Sequence, residues 1–67
     1  MLANWYDYIL QGDDATEDNA RLAVMTGVLC TVDTKPQTLA YMRYVDTVHG
    51  IDIYYCYGAD YYAFKDE

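Results

Sequence analysis

The residue pattern predicts a single small α+β domain over residues 1–67, with two N-terminal helices packed on a C-terminal three-stranded antiparallel β-meander. Three observations lead there. A chain of 67 residues has room for one hydrophobic core only. Apolar residues in the first half recur at helical spacing and are followed by a helix start signal. From Leu39 onward, short runs of Tyr, Val, Ile and Thr are punctuated by His49-Gly50 and Gly58-Ala59, which read as turns between strands.

The first predicted helix covers 2–11. It places Leu2, Trp5, Tyr6, Ile9 and Leu10 at i, i+3, i+4 spacing and stops at Gly12. The second runs from Ala15. Asp14 with Glu17 three residues later makes a capping box, and Asp13, Asp14, Glu17 and Asp18 suit the positive end of a helix. Its apolar stripe is Leu22, Met25 and Leu29 with Val24 and Val28 beside it, and both Glu17 and Asp18 reach Arg21. Gly27 offers an early end that leaves 28–32 extended, and 33–37, with Pro36, is a loop.

The meander is built by pairing across its turns. A two-residue turn at His49-Gly50 sets Val48 against Ile51, Asp46 against Ile53 and Tyr44 against Tyr55. A second at Gly58-Ala59 sets Asp52 against Lys65, Ile53 against Phe64 and Tyr55 against Tyr62. One face then collects Met42, Tyr44, Val48, Ile51, Ile53, Tyr55, Tyr62 and Phe64 for the helices to cover, with Asp46 as its one charged member. The other collects Tyr41, Arg43, Val45, Thr47, Asp52, Tyr54, Cys56, Tyr61, Ala63 and Lys65. The competing architecture is mostly helical with one C-terminal hairpin: Thr34 and Gln37 form another capping box, and Leu39, Met42 and Val45 stripe a third helix ending at Gly50. The density of Tyr, Val and Thr favours the strand.

Charge narrows the function classes. Eleven Asp+Glu against four Lys+Arg give a net charge of −7, which repels phosphate backbones and anionic membranes and attracts basic proteins. The same acidity keeps a domain with nine tyrosines soluble. The start has no basic n-region of a secretory signal, and the longest apolar stretch, 22–32, is broken by Thr26, Gly27 and Thr31 and too short to span a bilayer. Cys30 and Cys56, without CxxC spacing, read as free thiols of a cytoplasmic protein.

Chemistry-bearing motifs are scarce. The four glycines stand singly, so there is no phosphate-cradling loop. The chain has no serine, and Cys56 lies seven residues from His49, the sole histidine, about 20 Å along a strand. A Cys–His nucleophile is therefore excluded, and His49 is explained by its turn. The acids at 13, 14, 17 and 18 lack the spacing and internal glycine of an EF-hand, and helix capping accounts for them. No enzyme activity, cofactor or metal is expected.

Surfaces remain. Tyr41, Arg43, Tyr54 and Tyr61 have the composition of a binding hot spot, and Asp13, Asp14, Glu17 and Asp18 present carboxylates to lysines and arginines. The expectation is a small protein-binding module, an inhibitor or adaptor that engages a basic, nucleic-acid-binding protein through a carboxylate- and tyrosine-rich surface. In size and charge alone the chain resembles the small acidic proteins with which phages and mobile elements block host nucleases by imitating DNA. The alternative is a structural homo-oligomer, such as a homodimer, whose tyrosine sheet face is buried against its copy.

Overall fold

In the computed structural model, residues 4–32, 41–58 and 61–66 are described. Their order is β1 (Asn4–Tyr6), a 3-10 turn (Gly12–Asp14), α1 (Glu17–Thr26), β2 (Thr31–Val32), β3 (Met42–Val48), β4 (Ile51–Cys56) and β5 (Tyr61–Asp66). The strands form one antiparallel sheet in the order β2-β1-β5-β4-β3. Four of them run for three to seven residues, and the two-residue β2 borders β1 at one edge. The described residues thus carry one α-helix on an extended sheet, which corrects the expectation of two helices on a three-stranded meander. The mostly helical alternative is overturned too, since 42–48 is strand.

The helix expected over 2–11 is replaced in its described part by β1 and an irregular segment. A period of 3.6 and a period of 2 are hard to separate over so few residues, and tertiary pairing decides between them. Trp5 pairs with Lys65 on one side and with Val32 on the other, while Tyr6 pairs with Phe64 and Thr31. The Tyr6 hydroxyl donates to Asp66 Oδ2 at 3.1 Å, across 60 residues of sequence.

Helix α1 starts two residues later than expected. Its N-cap is Thr16, whose Oγ1 accepts the Asn19 N–H at 3.1 Å. Asp14 lies instead in the 3-10 turn and offers its backbone carbonyl to the Asn19 side chain at 3.0 Å. The end falls at Gly27, as its position suggests: φ is +70°, and the N–H groups of Gly27 and Val28 reach back to Val24 and Ala23 carbonyls. That pair of bonds is a Schellman closure, which glycine accommodates without a Cβ penalty.

The helix is rolled differently from the expectation. Ala20, Ala23 and Val24 are its buried residues, whereas Leu22 and Met25 are turned out and are 53% and 61% exposed. The buried stripe is thus made of small residues. Ala20 and Val24 pack with Leu10, Ile53, Tyr62 and Phe64. Phe64 and Ile53 are fully buried, each worth about 1.5–3 kcal/mol of transfer free energy.

The hairpin β3–β4 closes through His49 (φ 51°) and Gly50 (φ 78°), two left-handed residues as a type I′ turn requires. Val48↔Ile51, Asp46↔Ile53, Asp52↔Lys65, Ile53↔Phe64 and Tyr55↔Tyr62 pair as the turns imply. Above Asp46 the register departs. A bulge between Tyr44 and Asp46 sets Tyr44 against Tyr54 instead of Tyr55. One extra residue moves the side chains beyond it from the turn, those of 42–44, to the other face. Val45 therefore joins the helix-side core, while Met42 packs with Trp5, Cys56 and Ala63 on the opposite face. The turn expected at Gly58-Ala59 and the loop over 33–37 lie wholly or partly outside the described residues.

Candidate functional site

Two surfaces carry the residues of interest, one on each side of the sheet. On the helix side, charge is organised around the two arginines. Arg21 Nε donates to Asp46 Oδ2 at 2.8 Å, and its other nitrogens reach Asp18 at 3.4 Å and Glu17 at 3.6 Å. Arg43, moved to this face by the bulge, reaches Glu17 at 3.5 Å. The inward-pointing Asp46, an oddity in the sequence, is thereby the anchor that ties α1 to the edge strand. The bond from Arg21, then the Thr47 N–H at 2.8 Å on the other carboxylate oxygen, hold Asp46 below the usual carboxylate range. Arg21 is held above its usual value mainly by the same bond.

This network absorbs one of the predicted acids and leaves others turned to solvent. Glu17 is shared between two guanidinium groups. Asp18 makes a long contact to Arg21, yet its side chain is 97% exposed. Asp13 and Asp14 are exposed in the 3-10 turn and form no ion pair among the described residues.

Beside them runs an open groove of about 270 Å³ between α1 and the 8–14 segment. Leu10 and Ala23 form its buried floor, Leu22 and Val28 flank it, and Asp14 lies on its rim. Met25 adds to the exposed apolar flank one turn from both Leu22 and Val28. The sequence concealed this groove because its apolar residues were assigned to the core. The usable signal was Ala20, a small residue on the side of the helix that packs on the sheet.

The opposite side of the sheet is aromatic. Trp5 and Tyr54 ring centroids are 5.9 Å apart, as are those of Tyr44 and Tyr54, and Lys65 Nζ lies 5.7 Å from the Trp5 ring centroid. The Trp5 indole N–H is buried without a hydrogen-bond partner among the described residues. Thr47 Oγ1 donates to the buried Asp52 at 2.6 Å, so its single proton is committed and the Tyr44 hydroxyl donates to Thr47, also at 2.6 Å. Burial raises the phenol of Tyr61 and the thiol of Cys56, which adjoin on this face.

Of the predicted aromatic hot spot, Tyr54 and Tyr61 share this face, Tyr41 is exposed just before β3, and Arg43 is on the helix side. The four are therefore not one surface. Asp13, Asp14 and Asp18 do share one end of the molecule, around the start of α1. No cluster of His, Cys, Asp and Glu suited to a metal occurs among the described residues. None of their helices is long and apolar enough to cross a membrane. No protein-family model, curated protein sequence or solved structure matches the chain.

Proposed function

We propose that the chain is a protein-binding module, an inhibitor or adaptor that engages a basic, nucleic-acid-binding protein and works by contact, not catalysis. The observation that carries this reading is the segregation of charge around α1. Arg21 and Arg43 are engaged by Asp46, Glu17 and Asp18, whereas Asp13 and Asp14 form no ion pair among the described residues and Asp18, despite its long contact to Arg21, stays almost fully exposed. Exposed carboxylates gathered at one helix start attract lysines and arginines that otherwise meet phosphates. A protein encoded by a phage or mobile element, acting in the cytoplasm as a DNA-charge mimic, fits this chemistry, and the two free thiols fit that compartment.

The test is affinity capture from source-cell lysate, with stepped salt washes and then duplex DNA as competitor. The expected result is one basic nucleic-acid-binding protein that elutes as salt rises and is displaced by DNA. Recovery of the chain alone contradicts the reading. It would favour the homo-oligomer instead, for which the supporting observation is the half-exposed Tyr44 set edge-on against Tyr54.

A further inference from the structure

We propose that the groove between α1 and the 8–14 segment docks an apolar side chain from a basic segment of the partner, with Asp14 pairing a lysine or arginine next to it. This rests on the reading of the chain as a binder of a basic protein and names the contact that gives it specificity.

The argument begins with what surrounds the groove. Leu22, Met25 and Val28 are between 47% and 61% exposed and sit together on the outer side of α1 and just beyond its end. Isolated exposed apolar residues are ordinary, whereas a contiguous set beside a concavity marks a docking surface. The groove, at about 270 Å³, falls below the range of about 300–1,000 Å³ typical of small-molecule sites. It suits one or two large side chains. Its floor is apolar, with Leu10 and Ala23 buried beneath it, and Leu22 and Val28 flank it alongside the polar Asn19 and Thr26, so an entering leucine or phenylalanine meets apolar surface at the floor and at these flanks.

The rim selects the occupant. Asp14 lines the groove, and Asp13 and Asp18 stand exposed beside it. A second copy of this chain would bring its own carboxylates against these in a self-complementary contact, at a net charge of −7 on each partner. A segment with apolar residues at helical spacing and cations between them satisfies both parts at once. Charge on the rim accelerates encounter, while the buried side chain sets the lifetime of the complex.

The experiment titrates isotope-labelled protein with a helical peptide of about 14 residues, leucines at i, i+3, i+4, i+7 and lysines elsewhere, followed by NMR. A second peptide replaces each leucine with serine at unchanged charge. Saturable shifts are expected at the Leu22, Met25 and Val28 methyls and the Asp14 amide. The serine peptide, and the Leu22→Ser and Asp14→Asn proteins, should each bind about tenfold more weakly. Because Leu22 and Asp14 are exposed, both variants retain the wild-type amide spectrum.

Shifts centred on Tyr44 and Tyr54, or undiminished binding by Leu22→Ser, overturn the docking proposal. Equal binding of both peptides, weakened by salt, also overturns it but leaves the basic-partner reading standing. If neither peptide binds even at low salt, both the docking proposal and the basic-partner reading fall.

Discussion

The roll of α1 is the structural fact on which the groove depends, and a pair of size changes tests it. Ala20 is fully buried against the sheet, whereas Leu22, two residues on, is 53% exposed. Ala20→Leu forces three carbons into the contact with Ile53 and Phe64, and overpacking of that kind costs about 1–3 kcal/mol. Leucine and alanine have similar helix propensities, so the loss reports packing. Against a core that supplies no more than about 3–5 kcal/mol, this is a large fraction. At about 4–8 °C per kcal/mol, Tm should fall by about 5–20 °C. Leu22→Ala removes an exposed side chain and should stay within about 0.5 kcal/mol of wild type. Thermal and urea unfolding followed by circular dichroism measure both. A Leu22→Ala protein less stable than Ala20→Leu would refute the orientation, and with it the groove.

Further outcomes follow from the charge and thiol chemistry. Asp46 is held below its usual range in the folded state, so the unfolded chain binds its proton first; the stability it contributes is present above pH of about 4 and fades as pH falls through the lower folded value. Urea titrations of Asp46→Asn should show a flatter stability profile there than wild type, and an identical slope would speak against the Arg21 anchor. Tyr6, Tyr61 and Tyr62 are raised chiefly by burial, so the folded state prefers their neutral forms and stability should decline as pH climbs past about 10. Spectrophotometric titration should show these phenols ionising after the exposed ones, and simultaneous ionisation of all would contradict the packing. A thiol reagent should modify the exposed Cys30 quickly and the buried Cys56 only after denaturation, with mass spectrometry counting the adducts.

The hairpin register was legible in the sequence because local chemistry specifies it. A His-Gly pair able to adopt two left-handed conformations sits between alternating β-formers. The bulge at Val45 was not, since the contacts that accompany it lie elsewhere in the chain: Val45 packs against the helix-side core, Arg43 reaches Glu17 on α1, and Asp46 stays opposite Arg21. Strand β1 was hidden for a similar reason. Three residues have no period of their own, and their partners lie at 64–66. The helix cap was misplaced at Asp14, because only the geometry shows that the Asn19 N–H is taken by Thr16 and that Asp14 serves through its backbone carbonyl. The exposed acids at 13, 14 and 18 could be anticipated from helix-end electrostatics, but the aromatic cluster failed as a unit because the bulge sends Arg43 to the opposite face from Tyr54 and Tyr61.

The central claim is that these three carboxylates attract a basic protein. Its most direct test is the affinity of the captured partner for wild type and for the Asp13→Asn, Asp14→Asn, Asp18→Asn triple variant, measured from about 50 mM to about 500 mM salt. The account predicts steep weakening with salt for wild type, with a lower affinity and a shallower slope for the variant. Equal affinities and parallel slopes would contradict it.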